Sequence, residues 1–362
     1  MIEILLAITA SAVWSKVWTI GVAILFFGLI VMIHEFGHFI CAKAFKVRVN
    51  EFAIGMGPTI FKKQKGETKY AIRLFPIGGF VSMEGEDEES NDERAFNNKK
   101  VWKRIIIVSA GAIMNLVLGV ILMAIMLSTS NQLIGTNQIK QFHENASSQQ
   151  TGLKENDKII KIDGHSVWSE RDIGFLMTRT DDGLFDFVVE RDGEKVELKD
   201  VKFETKQVEK MNIVIYDFVI IGETPGFLNI LKNSFTQSAS IVRTVWLSLF
   251  DIVTGRFGMS DLAGPIGTMD IIADVTANAV TSKNAENMLM IMALITINIG
   301  VANLLPIPAL DGGRLLFLVI EGIRRKPIKP KYEGYVHAAG FAFLIMLMVA
   351  VTFNDILRLI RG

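Results

Sequence analysis

Four residues in this sequence could do chemistry together. His34, Glu35 and His38 stand in the string HEFGH. On a helix, side chains four apart share a face, so His34 and His38 can offer two imidazole nitrogens to one tetrahedral zinc ion, Zn2+. Glu35 stands beside them as a general base for a water on that metal, the arrangement of a metalloprotease. A catalytic zinc takes three protein ligands and keeps one position open. Asp311, in the run NLLPIPALDGG from Asn303 to Gly313, offers the third. The chain has one cysteine, Cys41, which makes neither an internal disulfide nor a Cys-rich zinc site. The ligands must then be His and carboxylate.

The surroundings sharpen this reading. HEFGH ends the apolar run VWTIGVAILFFGLIVMI, and an unpaired ionisable residue at membrane depth costs about 2.5–3.5 kcal/mol or more. A bound metal offsets that cost. Asp311 follows Pro306 and Pro308, which unwind a helix. Unwound backbone inside a membrane is tolerated where it is buried or lines a cavity. Two blander readings compete. The span could end early and leave HEFGH at the lipid headgroups without metal. Asp311 could cap a helix beginning at Gly312, a role that does not exclude metal binding.

Membrane helices carry these groups. Half of the 362 residues are hydrophobic, mean hydropathy is +0.36 and 21% are charged. That mixture fits several spans plus a water-soluble module. Lys plus Arg and Asp plus Glu balance at 38 each, so no net charge draws the chain to nucleic acid. Apolar runs of spanning length cover Val17 to Ala42, Val101 to Leu127, Met288 to Leu305 and Val336 to Phe353. The third continues as helix through Leu315 to Ile323. No basic n-region or cleavage site precedes the first run, which reads as a retained span. Arg324, Arg325, Lys326, Lys329 and Lys331 make a short basic loop, and the segment between the first two spans is basic near both ends. Both are expected in the cytoplasm, with the termini and the long central segment opposite.

Between the spans, Val47 to Met83 is β-rich, with Gly and Pro punctuation. It predicts a sheet against the membrane face, with an ordinary cytosolic hairpin as the alternative. The acidic linker EGEDEESNDER follows. Residues 137–206 have the texture of a small soluble domain: a strand KIIKIDG, a helix SERDIGFLMTR, and two strands joined at Asp192-Gly193. Gly152, Leu153, Asp157, Ile159, Ile162, Gly164, Val167, Arg191 and Gly193 match the pattern of a PDZ domain, which this stretch resembles. Asn156 departs from the usual Gly, though Asn also tolerates the left-handed turn. PDZ domains bind extended peptides by adding a strand. Phe227 to Val253 carries apolar residues at helical spacing with polar ones in every turn. It predicts a helix on the membrane surface, with a fifth span as the rival.

HEFGH in the first span, a central PDZ-like domain and N-x-x-P-x-P-x-L-D-G in a later span resemble the site-2 protease family of intramembrane zinc metallopeptidases. The similarity is to the bacterial regulator-of-sigma-E protease type with a single PDZ domain. PIGGFVSMEGE (Pro76 to Glu86), GAIMNLVLG (Gly111 to Gly119) and AGPIG (Ala263 to Gly267) also match. The resemblance implies a polytopic α-helical membrane protein of about four transmembrane helices, with a membrane-associated β-loop and an inserted PDZ domain. Its segments are 1–45 with HEFGH, 46–100 for the β-loop and linker, 101–130 for the second span and 137–206 for the PDZ domain. Residues 207–287 form a linker and surface helix, 288–323 the third span, and 324–362 the basic loop and fourth span. It implies a bacterial plasma-membrane enzyme with the PDZ domain outside the cytoplasm. Because that domain directly follows the second span and is far larger than a single helix, it is expected to act as a gate that admits trimmed substrates. Recruitment of substrates through a freshly exposed C-terminus is the alternative. The substrates would be single-span membrane proteins such as trimmed anti-sigma factors or remnant signal peptides. Asn303 is expected to hold the substrate backbone. The β-loop edge around Ile72 to Phe80, with Gly79 and Phe80 as contact residues, is expected to pair with the unwound substrate. Two rivals remain, a catalytically silent PDZ-bearing receptor or scaffold and a transporter. Asn115 needs a hydrogen-bond partner in the second span. His337 reads as an interfacial histidine, and His143 and His165 as surface residues.

Overall fold

The computed structural model describes residues 2–130, 132–180, 182–208, 211–255 and 286–361. AGPIG lies outside them. In chain order, the elements begin with α1 (Ile2–Ala44), β1 (Val49–Lys65), β2 (Thr68–Met83) and α2 (Val101–Thr129). Next come β3 (Ile134–Phe142), α3 (Ser147–Gln150), β4 (Lys158–Ile162), β5 (His165–Ser166), α4 (Glu170–Met177), β6 (Leu184–Arg191) and β7 (Glu194–Lys202). The rest are β8 (Thr205–Val208), β9 (Met211–Val214), β10 (Phe218–Glu223), α5 (Phe227–Val253), α6 (Glu286–Leu304), α7 (Asp311–Arg324) and α8 (Pro330–Arg361). The chain divides into two units, residues 1–122 with 249–362, and residues 123–248.

Among the described residues, four stretches are long and apolar enough to cross a membrane: Gly21–Ala44, Val101–Thr129, Glu286–Leu304 and Lys331–Phe353. They coincide with the four expected spans; α5 is not among them. Small residues let these helices approach closely. A Cβ on Gly37 would lie 2.4 Å from the Ala110 carbonyl oxygen, and one on Gly119 would lie 2.3 Å from Ile297. A Cβ on Gly300 would lie 3.1 Å from the Ala112 carbonyl oxygen.

The β-loop is more folded than a hairpin. Residues Glu51 to Ile54 pair with Gly79 to Ser82 on one side and with Lys69 to Ile72 on the other. Residues Phe61 to Lys65 pair back onto Thr68 to Ile72. Two long strands thus bend into four ribbons, and Gly55, Gly57 and Gly78 take positive φ along them. This corrects the expected pairing edge. Ile72 is an inner position, bonded to both Ile54 and Phe61. Among the described residues, the ribbon 79–82 pairs on one side only.

The second unit is a sheet in the order β10-β3-β4-β6-β7, with β5 on β4. Phe185, Phe187 and Phe203 centre its core. The hairpin turns at Asp192 and Gly193 (φ 52° and 85°), and Asn156 takes φ 68°, the left-handed conformation expected of it. The domain does not stop at residue 206: β10 pairs with β3, Phe218 opposite Phe142 and Glu223 opposite Ile134. The surface-helix expectation also changes in one respect. Much of the polar face of α5 is not solvated, for Ser234, Gln237, Ser238 and Ser240 are buried, while Lys232 stays exposed. Gln237 accepts from Arg171 (3.2 Å), and Arg243 pairs with Asp172 (2.5 Å). The outward face carries Phe227, Leu231, Phe235 and Trp246.

Candidate active site

HEFGH lies in the last turns of α1, and i,i+4 spacing brings His34 and His38 to one face. Their Nε2 atoms are 3.2 Å apart. Asp311 arrives from a segment nearly three hundred residues away in the chain, its Oδ2 at 3.0 Å from His34 Nε2 and 3.2 Å from His38 Nε2. These three are the described residues whose ligand atoms cluster as a metal site would require. A tetrahedral ion with bonds of about 2.0–2.1 Å holds its ligand atoms about 3.3 Å apart. Asp311 Oδ2 is also buried and has no hydrogen-bond partner. A carboxylate oxygen and two imidazole nitrogens converge there without an aligned hydrogen bond to the carboxylate, a donor set that zinc fits.

The outer contacts fix the rings. His38 Nδ1 lies 2.8 Å from the Ile107 carbonyl oxygen, to which its N–H donates, leaving Nε2 free to ligate. His34 Nδ1 faces the Asn115 amide at 3.4 Å. Asn115 is fully buried and its Oδ1 has no partner. Exchanging the amide oxygen and nitrogen, which have the same shape, lets Oδ1 accept from His34 Nδ1–H. The partner that Asn115 needed is thus a histidine of the cluster. Space for the rings comes from Gly111, where a Cβ would lie 2.3 Å from His38 Nε2.

Asp311 owes its place to the loop before it. The helix α7 begins at Asp311, with Leu310 at its cap, so Asp311 stands in the first turn of the helix. Any Cβ on Gly312 or Gly313 would strike the carbonyl oxygens of Leu305 and Ile307. Glycines there let the two-proline loop fold back onto its own helix. Ala309 takes φ 77°, and its N–H donates to His337 Nδ1 at 2.9 Å. His337 is therefore a support for the Asp311 loop, not an isolated interfacial histidine. Nothing in its local sequence signals this, because Ala309 is 28 residues upstream.

Glu35 points to the β-loop. The Val81 backbone N–H reaches its carboxylate, and a Cβ on Gly79 would lie 3.4 Å from Glu35 Cγ. Glu35, His38, Phe80, Val81 and Asp311 line one cavity of about 210 Å³, with Glu86 and Arg314 in its wall. Arg73 stacks over the Phe80 ring at 4.5 Å. Asn303 stays on its own helix, its Nδ2 donating to the Ile299 carbonyl oxygen at 3.1 Å. Glu86, which the sequence did not single out, is a partly buried carboxyl. Desolvation pushes it up to about 7, helped by Asp87 and opposed by Arg314.

The sequence profile of peptidase family M50 matches residues 22–347. The chain is similar to a Clostridium acetobutylicum protein provisionally named a zinc metalloprotease, at 35% identity over 94% of this chain and 97% of the relative. It is similar to the regulator of sigma-W protease RasP of Bacillus subtilis, at 31% over 94% and 99%. It is similar also to the probable protease eep of Enterococcus faecalis, at 32% over 94% and 99%.

Proposed function

This chain belongs to peptidase family M50, the site-2 protease type of zinc metalloprotease, and from that premise we propose how its own residues cut a membrane-spanning substrate. His34, His38 and Asp311 hold the zinc, and Glu35 is the general base. The observation that carries the assignment is the orphaned Asp311 Oδ2 within about 3 Å of two imidazole nitrogens. When bound, the metal polarises the scissile carbonyl and lowers the pKa of its water toward about 7.

Glu35 takes the proton of the attacking water and later delivers it to the leaving amine. A transmembrane helix satisfies its own backbone and hides its peptide bonds. The substrate must unwind before it reaches Glu35. The one-sided ribbon 79–82 offers backbone groups for an extended segment to pair with. Gly79 keeps that ribbon close to Glu35, and Phe80 forms the cavity wall. Asn303 orients the substrate backbone through its amide.

The inserted domain is assigned as a PDZ domain outside the cytoplasm. The reading is supported by its sheet order and by the groove of about 340 Å³ between α4 and β10. It acts as a gate that admits spans whose outer part has been trimmed. The name of the Bacillus relative ties that protein to sigma-W, and trimmed anti-sigma factors, with remnant signal peptides, are the substrates proposed here. The outward apolar face of α5 lies in the membrane surface.

Two measurements test this reading. Metal analysis of detergent-purified protein should give about one zinc per chain, and near-zero zinc would sink the ligand assignment. Deleting residues 134–223 should let an untrimmed span reporter be cut while trimmed reporters are still cut. A deletion variant that holds zinc yet rejects the long reporter excludes gating.

A further inference from the structure

One side chain beside the catalytic cavity has no part in the reaction described above, and it joins three separate segments. Arg314 lies one helical turn after Asp311, on the same face of α7. Its Nη1 donates to Glu86 Oε1, its Nη2 to Asp87 Oδ1 at 2.6 Å and its Nε to Glu333 Oε1 at 3.2 Å. All three sides of the guanidinium are therefore engaged. Its side chain is 20% exposed and that of Glu86 16%. Glu86 reaches back to the strand, accepting from the Met83 N–H through its other oxygen at 3.4 Å. Met83 ends β2, directly after the one-sided ribbon 79–82.

We propose that Arg314 is a positioning residue for proteolysis: it clasps the foot of β2 to the helix that begins with Asp311, and so sets the ribbon 79–82 at the height of Glu35. The inference rests on the proposed pairing of substrate with that ribbon. Three features support it. The ribbon pairs on one side only, so its placement depends on anchors at its ends. The Val81 N–H to Glu35 contact fixes one point on it, and the Arg314–Glu86–Met83 chain fixes a second. A planar guanidinium can hold three carboxylates in fixed directions, which an ammonium cannot do. Without it, Glu86, Asp87 and Glu333 would lose the partner they share.

The test uses the full-length zinc-loaded protein in detergent, with Arg314→Lys, Arg314→Gln and Glu86→Gln. A photo-crosslinker at Ser82, in a Glu35→Gln background, reports whether substrate reaches the ribbon. Misplacement of a reacting segment by about 1 Å costs about tenfold to a hundredfold. We expect Arg314→Gln to lower kcat/KM for a span reporter in that range, with KM raised as well as kcat lowered. Arg314→Lys should recover part of the loss. Zinc per chain should stay at the wild-type level, and crosslinking at Ser82 should fall. Wild-type kinetics in both Arg314 variants would overturn the clasp. So would zinc loss in step with activity, because Arg314 would then serve the metal site. A Glu35→Gln protein with Arg314 intact that never crosslinks at Ser82 overturns the strand-pairing reading itself. Crosslinking that is present with Arg314 intact and unchanged when Arg314→Gln is added overturns the clasp alone.

Discussion

Both units of this protein pair carboxylates away from water, but one carboxylate in the first unit is left open. In the second unit, Asp157 and Asp172 are completely buried and completely answered. Asp157 accepts two 2.7 Å bonds from Arg191 and one of 2.8 Å from the Lys154 N–H. Asp172 accepts from the N–H groups of Trp168 and Ser169, from Ser240 and from Arg243. In the first unit, Asp311 leaves an oxygen orphaned against two histidines. A buried charge that is fully satisfied builds structure. One left open in a folded protein marks a place kept for something else.

The largest effect should come from breaking the open case. Asp311→Ala removes a zinc ligand while relieving an unpaired carboxylate. Zinc should drop from about one per chain to near zero and cleavage should vanish, yet thermal stability without metal should not fall. Elemental analysis and melting curves check this. A variant that keeps its zinc would mean that Asp311 is not a ligand. Glu35→Gln sharpens the same point from the chemical side. It should retain zinc while cleavage falls about a hundredfold to ten-thousandfold. A near wild-type rate on a span reporter would remove Glu35 from the general-base role.

The satisfied case should answer in the other currency. Asp157→Ala leaves Arg191 without its partner and should destabilise the small domain by about 3–5 kcal/mol. Zinc content should be untouched. Limited proteolysis confined to residues 123–248 would report it, and metal loss in this variant would blur the distinction between the units.

These differences explain what could be read from the sequence. HEFGH was legible because helical spacing alone brings His34 to His38, and Asp311 because an acid after two prolines is out of place at membrane depth. The four spans and the strands around Asp192-Gly193 were legible for similarly local reasons. What escaped depends on distant partners. The strand Phe218–Glu223 belongs to the sheet only through pairing with Ile134–Phe142. The polar residues of α5 looked like a wet face because their partners, Arg171 and Asp172, lie some seventy residues away. Ile72 and Gly79 sit in equally β-like text, and only the folding of the loop onto itself makes one inner and the other edge. Gly111 stood out only as the first residue of GAIMNLVLG; its neighbours are the rings of His34 and His38.

Glu86 falls between the two cases, which makes it the finest test of the comparison. It is partly buried and partnered by Arg314, but Asp87 shares that partner. Desolvation lifts its carboxyl from 4.5 to about 7, with Arg314 pulling down and Asp87 pushing up. A carboxyl whose folded value is raised holds its proton more tightly in the folded state. Its contribution to stability is therefore fully present below about 4.5 and is lost as pH rises through about 7. Wild-type protein should lose melting temperature across that window relative to Glu86→Gln, which has no proton to release. Taking the difference between the two proteins removes what groups uncoupled to Glu86 contribute; His38, whose charge pulls the Glu86 value down, is held constant by the bound metal. The measurement is a pair of melting curves in one detergent at pH 5, 6, 7 and 8, at fixed zinc. The gap between variant and wild type should widen with pH in the variant's favour, by a few degrees at most for a chain of this size. Parallel curves would show that Arg314 satisfies Glu86 as fully as Arg191 satisfies Asp157. Glu86 would then belong with the structural carboxylates.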